Sequence, residues 1–238
     1  MLNVVVPMAG RGRRFAEAGY LLPKPFIRIG DKPMIEHVID NVRPKREHRF
    51  IFLVQADALR FLDSAFAGAT IVAVPDVTEG AACTVLLAKH IIDTSDPLLI
   101  VNSDQIIQWD VDRFLDHASH YYGCIATFDS RAPQYSYAAL DESGYVVEVA
   151  EKRVISRDAT AGAYFWQHGY DFCACAEMMI AAEKRTNGEF YVAPVYNELN
   201  GRACGVTTYH VPCVDSLGTP EDLTAFRVKM GLVPVESV

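Results

Sequence analysis

The chain lacks the features that mark nucleic-acid-binding and membrane proteins. Lys and Arg total 22 against 30 Asp and Glu, so the formal net charge is -8. A broad nucleic-acid footprint needs the opposite balance, because Lys and Arg must displace counterions from the phosphates. The apolar start at Met1 to Val6 is too short for a signal peptide, and no later run is long enough to span a bilayer. We therefore expect no nucleic-acid partner, no membrane partner and a cytoplasmic location.

The cysteines show no arrangement typical of a metal site or of a disulfide framework. The tightest pair, Cys173 and Cys175, lies in an apolar stretch and lacks zinc-ligand spacing. The other four are Cys83, Cys124, Cys204 and Cys213. We predict reduced thiols, mostly in the core. The seven histidines likewise have no metal-ligand spacing.

The length and composition are those of one large globular domain. The chain has 238 residues, of which 50% are hydrophobic and 22% charged. That composition supplies a sizeable core. No internal repeat, low-complexity tract or linker interrupts it, so we predict a single domain spanning residues 1–238.

The first half alternates short apolar runs with helical patterns. This alternation predicts an α/β fold whose central sheet is mostly parallel and flanked by helices, as in Rossmann-like folds. The predicted strands are Asn3 to Val6, Phe50 to Val54, Thr70 to Val74 and Leu98 to Val101, and the predicted helices are Met34 to Val42, Ala58 to Phe66 and Ala82 to Ile92. Ligands of such sheets lie beyond the carboxyl ends of the strands, so the segments after Val6 and Val101 should form the site.

The pattern changes at about residue 123. Strand-like pieces separated by turns predict a small antiparallel addition to the sheet. These pieces are Gly123 to Thr127, Ala138 to Leu140, Val146 to Ala150 and Gly162 to Trp166, followed by helices at Asp171 to Glu183 and Pro220 to Met230. Thr219 before Pro220 is a typical N-cap. The chain therefore divides into two halves, residues 1–122 and 123–238.

A glycine-rich, basic loop follows the first predicted strand. It contains Gly10 and Gly12 together with Arg11, Arg13 and Arg14. Glycines allow successive backbone N–H groups to converge on an anion, and arginines add forked donors for phosphate oxygens. The loop predicts a triphosphate site. It is neither a Walker loop nor a dinucleotide fingerprint, because the Gly-Lys-Ser/Thr ending and the third glycine are both absent.

A lysine between two prolines comes next in the chain. Pro23 and Pro25 predict a stiff, extended segment that fixes Lys24 beside the phosphate loop. Further along, Asp104 follows the apolar run Leu98 to Val101, where a carboxylate can hold a hard cation through oxygen. We interpret the two residues as a positioned positive charge and a metal ligand.

These motifs together resemble the signature of the sugar-phosphate nucleotidyltransferase family. The resemblance rests on Ala9-Gly10-Arg11-Gly12-Arg13-Arg14, Pro23-Lys24-Pro25 and Ile29-Gly30-Asp31-Lys32-Pro33-Met34-Ile35. It extends to Glu79-Gly80-Ala81-Ala82, Val101-Asn102-Ser103-Asp104, Glu151-Lys152, Gly162-Ala163-Tyr164-Phe165 and Gly218-Thr219-Pro220-Glu221-Asp222-Leu223. The chain departs from the usual first motif in that Ala9 and Arg13 replace its first Gly and its Thr. The fold implied is the nucleotide-diphospho-sugar transferase sandwich.

The resemblance implies an enzyme that joins a nucleoside triphosphate (NTP) to a sugar 1-phosphate and releases pyrophosphate, using Mg²⁺. The catalytic residues implied are Arg14, Lys24 and Asp104, with Asp104 as metal ligand. The nucleotide would be bound in the first half by Met8, Ala9, Gly10, Arg11, Gly12, Arg13, Gln55, Glu79, Gly80 and Ala81. For the second metal ligand the nearest acid is Asp215, although Ser216 occupies the family's aspartate position.

The acceptor would be bound in the second half of the chain. A carboxylate can accept paired sugar hydroxyls while a lysine meets the phosphate, which suits Glu151 and Lys152. The remaining residues predicted to bind it are Tyr137, Gly162 and Glu189. The product would serve the synthesis of surface polysaccharide, and a homodimer is the commonest closed assembly.

Three alternatives remain open on the sequence. A glycosyltransferase of related fold would consume a nucleotide sugar, but here Asp104 stands in Asn-Ser-Asp-Gln instead of an Asp-x-Asp motif. A cytidylyltransferase would use a non-sugar acceptor such as phosphocholine. A non-catalytic nucleotide-binding homologue would have no need of the arginine, lysine and aspartate together.

Overall fold

A computed structural model describes residues 1–199 and 205–232 of the chain. Cys204 lies outside them. The strands are β1 (Leu2–Pro7), β2 (Arg28–Ile29), β3 (Lys32–Pro33), β4 (His48–Gln55), β5 (Thr70–Val74), β6 (Leu98–Val101), β7 (Gln105–Ile107), β8 (Gly123–Asp129), β9 (Tyr137–Leu140), β10 (Val146–Ala150), β11 (Asp158–Trp166), β12 (Val206–His210) and β13 (Val214–Ser216). The helices are α1 (Arg13–Glu17), α2 (Met34–Val42), α3 (Ala81–Leu86), α4 (Lys89–Ile92), α5 (Val111–Ala118), α6 (Gly169–Ala181) and α7 (Pro220–Lys229).

One nine-stranded sheet forms the centre of the molecule. Its first part is parallel, with strands in the order β6-β1-β4-β5. β11 then pairs antiparallel with β6 and carries β8 and β9, while β10 extends β9 and β12 pairs parallel with β8. The α/β class and the mostly parallel sheet with an antiparallel addition are confirmed. The sheet runs without a break across the predicted boundary at residue 122.

Both faces of the sheet are covered, which explains why its strands are almost wholly apolar. Alternate residues of a strand point to opposite faces, so Val5 belongs to one core cluster while Val4 and Val6 belong to the other. Helices α2 and α5 cover the second face, and α3, α4 and α6 cover the first. The core therefore lies in two layers with the sheet between them.

A third, smaller cluster ties both ends of the described chain together. Phe15 of α1 packs there with Met34 and with Leu223 and Phe226 of α7. The predicted start of α7 is confirmed, because the Thr219 side chain accepts from the N–H of Asp222 and Asp222 returns the bond. The segment around Phe15 is thus supported by a helix far away in sequence.

Three local predictions were wrong. Ala58 to Phe66 forms two short 3-10 helices, Ala56–Phe61 and Ser64–Phe66, because Asp63 caps the second one with its side chain. Ala82 to Ile92 is broken into α3 and α4 by tight turns at Leu87 and Ala88. Lys24 begins a single 3-10 turn, Lys24–Phe26, where an extended segment was predicted.

Cysteine placement agrees with the prediction of core thiols for Cys124, Cys173 and Cys175, which are buried, whereas Cys83 and Cys213 are half-buried. Within residues 1–199 and 205–232, no helix is both long enough and apolar enough to cross a membrane.

Gly169 offers a direct test of the packing between α6 and α4. A β-carbon at this position would lie 1.9 Å from the backbone oxygen of Ile92. Because backbone cannot move aside as a side chain can, we expect Gly169→Ala to lower the free energy of unfolding by about 2 to 4 kcal/mol. Urea unfolding measures this. Gly10→Ala is the matched control, since nothing lies within 4 Å of a β-carbon there, and equal stability of the two variants would contradict the packing.

Candidate active site

An open cleft lies beyond the carboxyl ends of β1 and β6, at the edge where the strand order predicted a ligand. Its volume is about 700 Å³. The loop after β1 and the turn after β6 meet there, although they are distant in sequence. The lining consists of Pro7 to Phe15, Lys24, Pro25, Val77, Thr78, Gly80, Ala81, Thr84, Asn102 to Asp104, Glu189, Tyr191 and Gly218.

The glycine-rich loop is fixed by its neighbours. The Gln55 amide nitrogen donates to the carbonyl oxygen of Ala9 over 2.7 Å, so Gln55 supports the loop and is not itself in the cleft lining. Gly12 has φ +57, and a β-carbon there would lie 3.0 Å from Cβ of Lys24. Glycine is therefore required at position 12 for two reasons, its backbone conformation and the closeness of Lys24.

The three arginines of the loop line one side of the cleft. Arg13 bonds Glu17 one turn further along α1 over 2.7 Å, and its side chain is 85% exposed. Arg14 acts electrostatically on the Tyr191 hydroxyl across the cleft. Exposed guanidinium groups can turn to bind phosphate oxygens in pairs. The loop thus offers Arg11, Arg13 and Arg14 to an anion.

Lys24 and Asp104 form an ion pair inside the cleft. The Lys24 ammonium donates to one oxygen of the Asp104 carboxylate, and their side chains are 17% and 26% exposed. The ammonium also lies 5.9 Å from the ring centroid of Phe15. Two opposite charges from distant segments are therefore held side by side, and each limits the cost of partly burying the other.

The predicted second metal ligand, Asp215, pairs with a lysine in this structure and is not among the residues that line the cleft. Both oxygens of its carboxylate accept from the ammonium of Lys229 over 2.7 Å. The hydroxyl of the next residue, Ser216, donates to the Asp222 carboxylate over 3.0 Å. A β-carbon on Gly218 would lie 3.3 Å from the Ser216 hydroxyl oxygen and 3.6 Å from Asp104 Oδ2. Among the described residues, no group of three or more His, Cys, Asp and Glu is arranged to hold a metal ion.

Glu79, Gly80 and Ala81 separate into two roles. Gly80 and Ala81 line the cleft, whereas the Glu79 carboxylate turns away and accepts from Arg185 over 2.5 Å. Gly80 has φ +135, and a β-carbon there would lie 2.4 Å from the carbonyl oxygen of Phe190. The structure does not bring the Glu79 side chain to the predicted nucleotide site.

A second, smaller cavity of about 150 Å³ adjoins the cleft. Ala81, Asn102 and Tyr191 line both, so they form the shared wall. The other lining residues are Gln105, Gln134, Tyr135, Ser136, Glu151, Thr160, Tyr164, Val192 and Ala193. Hydroxyl and amide groups predominate, and Glu151 is the one charged residue among the lining residues.

The environment of Glu151 disfavours its charged form. Burial raises the pKa of this carboxyl above its ordinary value, while a hydrogen bond from Ser136 and the charge of Lys152 act in the opposite direction. A carboxylate that is partly removed from water is stabilised when it accepts hydrogen bonds from the hydroxyl groups of a ligand.

Lys152 and Glu189 meet at Tyr191. The Lys152 ammonium donates to the Tyr191 hydroxyl over 2.6 Å and lies 4.6 Å from its ring centroid. Burial, followed by the hydrogen bond with Glu189, raises the pKa of Tyr191. Lys152 has φ +52 and is exposed, while Glu189 lines the cleft. Tyr191 therefore joins the two predicted acceptor residues.

Two predicted acceptor residues lie away from the cavity surface. The Tyr137 side chain is fully buried and donates to the carbonyl oxygen of Ala132 over 2.8 Å, and it is not among the residues that line the second cavity. Gly162 has φ +73, and a β-carbon there would lie 1.6 Å from the Gln105 side-chain oxygen. Because Gly162 has no side chain, it leaves room for Gln105, which lines the second cavity.

Sequence reasoning missed several residues of the second cavity. Gln105, Ser136, Thr160 and Tyr164 line it. Two of them, Thr160 and Tyr164, flank an irregularity in β11. A glycine in a predicted strand was the available signal, because such a glycine often marks a bulge.

The sequence profile described as "Nucleotidyl transferase" matches residues 4–191, which include both the cleft and the second cavity. The chain belongs to the nucleotidyl transferase family. The solved structures agree in fold. A nucleoside-diphosphate-sugar pyrophosphorylase from Vibrio cholerae RC9 has a TM-score of 0.81 and 25% identity, covering 94% of this chain and 99% of that one. A UDP-glucose pyrophosphorylase complexed with UDP-glucose has a TM-score of 0.79 and 14% identity, covering 97% and 98%.

The curated relatives are similar at a comparable level of identity but are much longer. The bifunctional protein GlmU of Methanocaldococcus jannaschii is 24% identical over 163 residues, which is 63% of this chain and 36% of that protein. GlmU of Burkholderia thailandensis is 26% identical over 160 residues, or 66% and 35%. The match therefore spans about a third of each relative. Membership of the family and the fold, a sheet flanked by helices, follow from these likenesses; the substrates do not.

Proposed function

We propose that the chain transfers a nucleotidyl group from an NTP to the phosphate of a phosphorylated sugar and releases pyrophosphate. The observation that supports this most is the pairing of two sites. A basic cleft suited to a triphosphate shares a wall with a polar, nearly uncharged cavity suited to hydroxyl groups. Two anions could meet at that wall. The V. cholerae relative, a nucleoside-diphosphate-sugar pyrophosphorylase by name, is consistent with this chemistry.

The reaction requires charge to be offset and the reactants to be aligned. An acceptor phosphate oxygen attacks the α-phosphorus while pyrophosphate leaves on the opposite side, so negative charge accumulates at one place. Arg14 and the loop amides would hold the β- and γ-phosphates, and Lys24 would face the α-phosphate. The nucleophile is the substrate's own phosphate, so the chain needs to contribute binding and orientation alone.

A divalent cation, Mg²⁺ in our proposal, fits the donors present. Asp104 supplies one carboxylate in the cleft. Mg²⁺ commonly binds one or two carboxylates and takes its remaining ligands from water and substrate phosphates. The ion would draw the phosphates together and reduce their charge. Because Lys24 now pairs with Asp104, binding of the ion would free the ammonium for the substrate.

The acceptor site favours a neutral, hydroxyl-rich group. Glu151 could accept two sugar hydroxyls, and Lys152 could leave the Tyr191 hydroxyl to bind the acceptor phosphate. Tyr135, Tyr164 and Tyr191 in the same lining would also suit a quaternary ammonium, so phosphocholine is a second candidate acceptor. A role in surface-polysaccharide synthesis, a cytoplasmic location and a homodimer remain parts of this proposal.

The reaction class is tested by measuring pyrophosphate release. We expect release only when an NTP, Mg²⁺ and an acceptor are all present, in a panel of five NTPs against hexose 1-phosphates and phosphocholine. Lys24→Gln should lower kcat by about 100-fold or more, because the charge facing the α-phosphate is lost. Sugar transfer from a nucleotide sugar without pyrophosphate release would instead indicate a glycosyltransferase.

The metal assignment is tested by Mn²⁺ titration in the presence of the preferred NTP, followed by electron paramagnetic resonance. Asp104→Asn should weaken Mn²⁺ binding by about tenfold or more, since one carboxylate ligand is lost. Asp215→Asn is the matched control and should bind like the wild type. Loss of binding in Asp215→Asn would mean that its ion pair with Lys229 opens when the metal binds.

The role of Glu151 is tested by the pH dependence of the acceptor KM. The carboxylate form accepts hydroxyls, and burial has raised its pKa. Protonation therefore begins at a higher pH than for an ordinary glutamate, and the acceptor KM should rise as pH falls through that range. Above that range Glu151→Gln should have an acceptor KM about tenfold higher than the wild type, because a charged acceptor is replaced by an amide, and the difference should shrink as Glu151 is protonated.

The NTP KM should change little in Glu151→Gln. The variant also serves as the control for titration of the substrate phosphate, since that group titrates in the variant as it does with the wild type. A wild-type profile with the same shape as that of Glu151→Gln would contradict the role assigned to Glu151.

A further inference from the structure

Arg185 lies beyond the end of α6 and contacts Glu79, which is distant in sequence. No sequence motif pairs the two residues. Its guanidinium donates to Glu79 over 2.5 Å and to Glu183 over 2.6 Å. Its central carbon lies 4.1 Å from the ring centroid of Phe190. The side chain is 30% exposed. We call Arg185, Glu79, Glu183 and Phe190 the Arg185 cluster.

The backbone beneath the Arg185 cluster joins the same two segments. The Phe190 N–H donates to the carbonyl oxygen of Glu79 over 2.8 Å, and the Ala82 N–H donates to that of Phe190 over 3.0 Å. The Phe190 ring is fully buried, and Gly80 leaves no space for a β-carbon against its backbone. Residues 79–82 and 186–191 are therefore joined by backbone hydrogen bonds as well as by side-chain contacts.

The two joined segments serve different substrates in the proposed reaction. Gly80 and Ala81 line the nucleotide cleft. Tyr191 lines the second cavity as well and holds the Lys152 ammonium. The ion pair between Arg185 and Glu79 therefore links a segment of the nucleotide cleft to a segment of the acceptor cavity.

We propose that Arg185 is a positioning residue that couples the nucleotide-contacting segment 79–82 to the acceptor-contacting segment 186–191. This inference rests on the proposed function, because its kinetic test measures the proposed reaction. Arg185 itself lines neither cavity.

The two segments are anchored unequally without Arg185. The Gly80 carbonyl oxygen accepts from the Thr84 N–H and from the Thr78 hydroxyl, each over 3.0 Å. Segment 186–191 begins with a turn through Asn187 and Gly188, at φ +49 and +82. Besides the bridge between Thr186 and Glu189, the Arg185 guanidinium holds this turn by donating to the Gly188 carbonyl oxygen over 3.2 Å. Loss of the Arg185 cluster should therefore displace the acceptor side more than the nucleotide side.

The experiment compares Arg185→Gln, Glu79→Gln and the double variant in steady-state kinetics. We expect the acceptor KM to rise about three- to tenfold in each single variant, with kcat and the NTP KM within about twofold. The double variant should be no worse than the single ones, because both remove the same ion pair. Arg185→Lys should recover part of the loss, since it keeps the charge opposite Glu79.

Lys184→Gln is the matched control. It removes the same charge from the neighbouring residue, whose partner is Glu198, away from both cavities. We expect wild-type kinetics. A raised NTP KM in Glu79→Gln but not in Arg185→Gln would overturn the proposal, because Glu79 would then contact the nucleotide directly. Wild-type acceptor KM in Arg185→Gln would overturn it as well.

Hydrogen exchange supplies a readout that is independent of activity. In Arg185→Gln, amide exchange in residues 186–191 should accelerate by about tenfold, while exchange in β1 and β4 stays unchanged. Unchanged exchange in that segment would contradict the coupling. If the wild-type chain released no pyrophosphate from any substrate pair, the proposed function would fail, and exchange would still decide whether Arg185 holds the segments together.

Discussion

The ion pair between Lys24 and Asp104 is the interaction on which the rest of the site depends. It joins the turn after the glycine-rich loop to the end of β6, and it places both charges in one cleft. Gly12, which has no side chain, leaves room for Lys24 beside the loop. Parallel strands β1 and β6 lie next to each other and end at the same edge, which brings these segments together.

The cleft and the second cavity differ in charge. Cationic groups of the loop line one side, and the single acid at the end of β6 already has a cationic partner. The second cavity is different, since it is small, polar and almost uncharged, with one buried carboxyl. The shared wall separates the charged cleft from the cavity that is suited to hydroxyl groups, and it consists of Ala81, Asn102 and Tyr191. That contrast is the physical basis for the two-substrate reaction proposed.

Much of the fold could be predicted because hydrophobic pattern and caps are local. The strands β1, β4, β5 and β6 and the cap at Thr219 follow from runs of apolar residues and a short motif. The break between α3 and α4 and the irregularity of β11 could not be predicted in the same way. They depend on backbone packing, as at Gly162, which makes room for the side chain of Gln105.

The site was predictable where backbone position alone decides it. Gly10, Arg14, Lys24 and Asp104 lie in the cleft because the ends of strands bring them there. Side-chain direction could not be predicted in the same way: Asp215 pairs with Lys229, and Tyr137 is buried although its neighbour Ser136 lines the second cavity. Glu79 turns to Arg185, a partner that no local pattern indicates.

The central claim is that the α-phosphorus of the triphosphate is the atom attacked. The most direct measurement follows label from the preferred NTP in the presence of a sugar 1-phosphate and Mg²⁺. We expect label from the α-position to appear in a nucleotide sugar and label from the γ-position in pyrophosphate. Release of γ-label as orthophosphate, or its transfer to the acceptor, would contradict nucleotidyl transfer.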